Sequence, residues 1–336
     1  MKRNMKQWME ELRTSPVKKA LPILSFPSMQ LLGINVKELI SDSDLQAQGM
    51  KMVADRTDSA AAVSLMDLSV EAECFGATIH VNDDEVPTVL GRLIHDEEEA
   101  NALEIPAVGS ARSGLYVESM EKALTMITDR PVLAGMIGPF SLAARLMDVS
   151  EIMMDCYDEP DMVHTVLEKT TAFLIEYAKA YKAVGANGIM MAEPVAGMLS
   201  PMLEEEFSAP YVKQIVDAVQ DDEFAVIYHN CGDNVIRMID SILTTGSMAY
   251  HFGNSIDMAE MLPHIPTETV VMGNVDPAGE FLNGTPDSIR AATLAVMEKC
   301  CGYPNFLISS GCDIPPASSW ENIDAFFNGV KEFYQN

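Results

Sequence analysis

Basic residues are scarce in this 336-residue chain: 22 lysines and arginines stand against 50 aspartates and glutamates, a formal net charge of −28. So acidic a surface repels phosphate backbones, which argues against nucleic acid as a partner. It suits solubility in a crowded or saline cytoplasm, with attraction to a basic partner protein as the alternative. No run of about 18 apolar residues free of charge occurs, so no membrane span is expected. The opening stretch, MKRNMKQWMEELRTSPVKK, is too polar for a signal peptide, which needs roughly 7–15 apolar residues. Both absences point to the cytoplasm. The glycines form neither GxGxxG nor a phosphate-cradling loop, so no nucleotide site is expected. No Ser-His-Asp arrangement, internal repeat or low-complexity segment is visible. Cysteines number only six, and without an export signal they do not suggest a disulfide framework. Cys74, Cys156, Cys300 and Cys301 read as small buried or half-buried side chains. Cys231 and Cys312 differ, since each lies beside a glycine at the end of a strand-like run.

What is present is apolar material, 48% of the residues, in short runs that alternate with longer helical patterns. Strands are expected near 19–26, 59–66, 130–137, 188–193, 224–230, 247–252, 269–274 and 305–310. Between them, 161–184 keeps Val163, Leu167, Phe173, Leu174, Tyr177 and Tyr181 on one stripe. A second helix is expected over 285–301, opened by a Thr285 cap and Pro286. Eight strands alternating with helices predict an α/β fold, a (β/α)8 TIM barrel, as one catalytic domain over 1–336. A doubly wound open sheet is the alternative. Residues 67–129 are too long for one crossover and include a strand-like ATIHV, so an insertion partly covering the barrel is expected there, after the second strand. A homo-oligomer is compatible with all of this.

In such barrels the active site is built at the C-terminal ends of the strands. Those ends carry Asp67, Gly138-Pro139, Glu193-Pro194, His229 with Cys231, Gly253-Asn254, Asn274 with Asp276, and Cys312. His229 and Cys231 are two apart, and residues i and i+2 of an extended strand share a face. A barrel brings the end of its last strand, with Cys312, back to the same rim. Two thiolates and one imidazole suit zinc, which leaves one position open in catalytic sites. Taken alone, HxC and a distant cysteine more often mean a buried histidine and unrelated thiols; the placement at two strand ends favours a metal. Glu193 reads as a fourth ligand displaced by substrate, a partner of the ligands, a proton carrier, or merely a helix cap before Pro194. Asp67 reads as a substrate contact or a cap. His251 reads as a residue of the same mouth or a hydrogen-bonded core histidine. Asn254, Asn274 and Asp276 are candidate substrate contacts.

The pieces YHNCGD (228–233), MGNVDP (272–277) and SSGCDIPPASSWENI (309–323) resemble the uroporphyrinogen decarboxylase superfamily. Within it they are similar to the zinc-dependent corrinoid methyltransferases, such as those acting between methylcobalamin and coenzyme M. GANGIMMAEPVAGMLSP (185–201) and LSVEAECFG (68–76) extend the likeness over most of the chain. The resemblance implies a metal held by His229, Cys231 and Cys312, with Glu193 and Asp67 in catalytic roles. It further implies methyl transfer between a corrinoid (methylcobalamin) carried by a partner protein and a small donor or acceptor, with a thiol favoured. Decarboxylases of the superfamily have arginines after the first strand, whereas SFPSMQLLG (25–33) has neither arginine nor lysine. Asp67 aligns with their central aspartate and keeps a carboxy-lyase reading open. A third reading is a non-catalytic zinc barrel that docks a corrinoid protein. An acceptor with a negative tail needs a basic or amide-lined pocket, and the sequence points to none.

Overall fold

The computed structural model describes residues 2–335. Its strands are β1 (Ala62–Val63), β2 (Thr78–His80), β3 (Thr88–Leu90), β4 (Val132–Ile137), β5 (Gly188–Ala192), β6 (Ala225–Asn230), β7 (Ala249–Phe252), β8 (Val270–Val275) and β9 (Phe306–Ser310). Seven of them form one parallel sheet in the order β1-β4-β5-β6-β7-β8-β9. Strand order follows chain order, with helices in the crossovers, and the sheet curls in the manner of a TIM barrel. The two predicted helices are present as Pro160–Ala183 and Pro286–Cys300, the latter opened by a Thr285–Ser288 capping box.

The expected strand over 19–26 is not formed, and that over 59–66 shrinks to the two residues of β1. Residues 20–23 nevertheless bridge the two edges. Leu21 N–H donates to Ile308 C=O, and Ala60 N–H donates to Ala20 C=O. Pro22 gives the physical reason for the interruption. Leu21 and Ile23 turn their N–H groups toward β9, so position 22 owes its donor to β1, and proline has none. Ile23 N–H then goes to the Ser310 hydroxyl rather than to a ladder carbonyl.

Alternation along the strands separates two cores. Leu133, Met190, Ala192, Ile227, Ala249, Met272 and Leu307 pack inside the curl. Val132, Ile189, Met191, Tyr228, Tyr250 and Ile308 face the surrounding helices. Met5 and Met9 of the helix Met5–Thr14 join the interior set, and Met5 N–H reaches Asp222 C=O just before β6 begins. That helix therefore packs at the end where strands start. The segment 67–129 contains the antiparallel ribbon β2–β3 and the helices Val70–Cys74, Glu97–Ala102 and Ser113–Met126.

Candidate metal centre

Parity along β6 places the first ligand. Ala225 and Ile227 point inward, so His229 does too, and Cys231 follows immediately beyond the strand. Gly253 lets the chain after β7 lie against that turn, since a Cβ there would sit 2.6 Å from Cys231 Cα. Asn230 shapes it from within, accepting from Gly232 N–H at 3.0 Å, and Ser255 Oγ donates to Cys231 C=O at 2.9 Å. From the end of β9, Cys312 Sγ comes 3.4 Å from His229 Nε2. The ligand atoms of His229, Cys231 and Cys312 all lie within 4.8 Å of one another. Bond lengths of about 2.0–2.3 Å set tetrahedral zinc donors about 3.3–3.8 Å apart; the Cys312 Sγ to His229 Nε2 distance falls in that range, and two sulfurs with one nitrogen suit the ion in type. Cys312 donates to Cys231 and holds it well below the usual thiol range, while that contact and burial push Cys312 up.

Behind His229 runs a relay of buried side chains on the inward face. His251 Nδ1 lies 2.8 Å from His229 Nδ1, His251 Nε2 lies 2.7 Å from Ser309 Oγ, and Ser309 donates to Leu21 C=O at 2.7 Å. The final carbonyl orders the whole chain. Because it only accepts, Ser309 Oγ receives from His251 Nε2–H, His251 Nδ1 must accept, and His229 Nδ1 must donate. Burial holds His251 well below its ordinary pKa, and the neighbouring His229 adds to this, so His251 stays neutral as the relay requires. A neutral His229 is left with its lone pair on Nε2, the atom that faces Cys312.

His229 and Cys312 line a cavity of about 590 Å3, with Met66, Leu68, Pro194, Pro315 and the Asp84–Val89 stretch of the β2–β3 ribbon. Glu193 is elsewhere. Strand parity sets it on the outer face with Met191, where Oε1 accepts from Phe140 N–H and Oε2 from Ser141 N–H and Ser141 Oγ, at 2.7–2.9 Å. It caps the helix Pro139–Met147 that follows β4, and burial raises its pKa to about 7. A Cβ on Gly138 would fall 2.4 Å from its Cδ, so glycine makes room for the carboxylate. The helix it caps is not the one its own strand leads into.

Asp67 is buried and fully engaged. It pairs with Arg112 and accepts from Tyr116 OH at 2.7 Å and from Ser69 N–H and Oγ. Arg112 also binds Glu73, at 2.6 Å. His251 is the core histidine of the relay and does not reach the cavity wall. Asn274 donates to the carbonyls of Gly253 and Ile256 and, with the exposed Asn254, borders a separate cavity of about 420 Å3. Asp276 accepts from Ala278 and Gly279 N–H, opening its own helical segment, Pro277–Leu282. Two further charged residues line the cavity: Asp313, next to Cys312 in the SSGCDIPP stretch, whose burial pushes its pKa well up, and Arg145. The one sign of Arg145 in the sequence is a lone charge in the otherwise apolar run PFSLAARLM.

Comparison with known proteins agrees with this architecture. A methylcobamide:CoM methyltransferase, MtbA, of Methanosarcina mazei is 27% identical over 277 residues, 80% of this chain and 78% of the relative. A uroporphyrinogen decarboxylase of Coxiella burnetii is 25% identical over 286 residues, 81% and 77% of the two chains. Among solved structures, a methyltransferase from Methanosarcina mazei superposes with a TM-score of 0.86 at 23% identity, covering 98% of each chain, a likeness of fold. The family described as "Uroporphyrinogen decarboxylase (URO-D)" matches over residues 12–333, and the chain belongs to that family.

Proposed function

We propose that the chain is a zinc-dependent methyltransferase that moves a methyl group between a corrinoid, carried by a partner protein, and a small molecule, with a thiol as acceptor. The observation that carries this reading is the convergence of His229, Cys231 and Cys312 beside one large cavity. The name of the Methanosarcina mazei relative supports it further. Bound there, zinc would supply Lewis acidity that lowers the pKa of a thiol placed beside it. In the direction from corrinoid to thiol, sulfur gains the methyl group, the electron pair of the carbon–cobalt bond stays with cobalt, and the thiol proton leaves.

Ionisation is the smaller part of the task. A thiol of pKa near 8.5 is about 3% ionised at pH 7, so full ionisation is worth only about 30-fold. Holding sulfur in line with the methyl group offers far more. The residues of this chain are suited to that. The relay from Leu21 through Ser309 and His251 fixes the ring of His229, and Glu193 fixes the helix Pro139–Met147 at the cavity wall. Met66, Leu68, Val86 and Pro194 provide apolar walls that exclude water. The whole chain is read as one catalytic domain in which 67–129 supplies a cover, its ribbon residues Asp84–Val89 forming part of the cavity wall. Asp67, held by Arg112 and Tyr116, braces that cover, and the acidic protein works in the cytoplasm.

Incubating the zinc-loaded protein with methylcobalamin and a panel of thiols tests the reading. Thioether formation with matching loss of methylcobalamin is expected. Formation of coproporphyrinogen from uroporphyrinogen, with no thioether, would replace it by a carboxy-lyase. Neither product, alongside binding of a corrinoid protein, would leave a docking barrel.

A further inference from the structure

The two thiol-bearing turns of the metal centre come from strands that are not neighbours. Cys231 follows β6 and Cys312 follows β9, with β7 and β8 between them. The loop 253–256, after β7, spans the gap. Toward β6, Gly253 N–H donates to Asn230 C=O at 3.1 Å, and Ser255 Oγ donates to Cys231 C=O at 2.9 Å. Toward β9 it lies against Gly311, the residue before Cys312. A Cβ on Gly311 would fall 2.6 Å from Asn254 Oδ1 and 2.8 Å from Asn254 N. One loop therefore bears on both turns.

Burial does not hold this loop in place. Asn254 and Ser255 are exposed, Ile256 is half-buried, and none of them belongs to a helix or strand. Asn274, on β8, holds it instead. Its Nδ2 donates to Gly253 C=O and to Ile256 C=O, both at 2.9 Å, so one buried carboxamide ties the two ends of the loop together. Both partners only accept, which fixes the nitrogen on that side and commits both amide hydrogens. No donor is left for a substrate, and the side chain does not line the cavity at the metal ligands. Gly273 brings the carboxamide within reach. A Cβ there would meet Phe252 C=O at 2.6 Å, so a side chain would push β8 away from the end of β7.

Resting on the metal-site part of the proposed function, and not on methyl transfer, we propose that Asn274 is a positioning residue of the metal centre. By closing the loop 253–256 it sets how the turns of Cys231 and Cys312 stand relative to each other. Tetrahedral zinc needs its donors at a fixed spacing. Two thiols on strands that do not touch have no shared ladder to supply that spacing, and the tied loop supplies it.

Asn305 provides the control. Its Nδ2 also joins two carbonyls, those of Pro266 and Thr269 at 3.3 and 3.0 Å, but it does so where β9 begins, at the end of the strand away from Cys312. Zinc affinity by chelator competition and the visible spectrum of the cobalt(II)-loaded protein are measured on wild type, Asn274→Ala, Ser255→Ala and Asn305→Ala, with Tm alongside. Asn274→Ala should bind zinc about 10–100-fold more weakly, the range for partners that orient ligands, and should shift the cobalt bands. Ser255→Ala breaks one contact only and should show the same changes in smaller measure. In the double variant the two losses should be less than additive, since both act through one loop. Asn305→Ala should lower Tm yet keep wild-type zinc affinity and spectrum. Wild-type affinity and spectrum in Asn274→Ala, or an equal loss of zinc in Asn305→Ala, overturns the assignment. Should Asn274→Ala fail to fold, Ser255→Ala decides by the same two readouts. The two readings fail separately. A wild type that binds no zinc sinks the metal site itself, whereas zinc binding without methyl transfer sinks the reaction and spares the role of Asn274.

Discussion

His251 Nδ1 lies 2.8 Å from His229 Nδ1, and the carbonyl of Leu21, two links further on, decides which of the two rings carries the proton between them. The first segment of the chain thereby orients His229 on β6. Breaking the relay should cost metal affinity before it costs the fold. For His251→Gln, zinc affinity measured by chelator competition should fall about 10–100-fold, the usual effect of removing the partner of a ligating histidine. Ser309→Ala should fall less, because His251 remains. Unchanged affinity in both would mean that the relay orients nothing.

Glu193 and Gly138 should be coupled. The backbone of Gly138 is at φ −91°, open to any residue, and the three atoms nearest to a Cβ there all belong to the Glu193 side chain. Gly138→Ala should therefore be strongly destabilising in wild type and much less so in Glu193→Ala, a double-mutant cycle read by denaturant unfolding. Glu193→Ala alone should lose about 1–2 kcal/mol as a missing cap and keep its zinc. Additive effects would remove the steric link, and loss of zinc would restore Glu193 as a ligand.

Much of this site was legible from one periodicity. Alternation along a strand put His229 and Cys231 on one face, and the end of β9 brought Cys312 to them. Applied to β5, the same rule sets Glu193 with Met191 on the outer face, away from the ligands. Position at a strand end is thus a weaker guide than parity. Asp276 and Asn274 also stand at the rim, yet one turns back to cap its own helix and the other ties down a neighbouring loop. Pro22 explains the missing strand, because a lost donor is visible in sequence only once the neighbouring strand is known. Arg145 was not legible: a charge in an apolar helix shows its use only when the rotation of that helix is fixed.

Glu71 should make stability depend on pH. It is fully buried, accepting from Ile137 N–H at 3.1 Å while its Oε2 has no partner, and burial raises its pKa to about 8. Between the unfolded carboxylate value, near 4.3, and about 8 the folded state holds a proton that the unfolded state does not. This contribution is fully present below that unfolded value and is lost as pH rises through about 8. Glu71→Gln should raise Tm relative to wild type at pH 8, with the gain shrinking toward pH 5. A constant difference across that range would contradict the assignment.

The most direct measurement of the central claim is zinc content and thioether formation on the same preparations: wild type, wild type stripped of metal and then restored, Cys231→Ser and Cys312→Ser. The account predicts one zinc per chain and methyl transfer from methylcobalamin to thiol in the wild type. Stripping should abolish transfer and restoration should return it, with the fold intact throughout because the barrel has its own core. Both serine variants should be folded, low in zinc and inactive. Full zinc in Cys312→Ser, or undiminished transfer by the stripped protein, would contradict it.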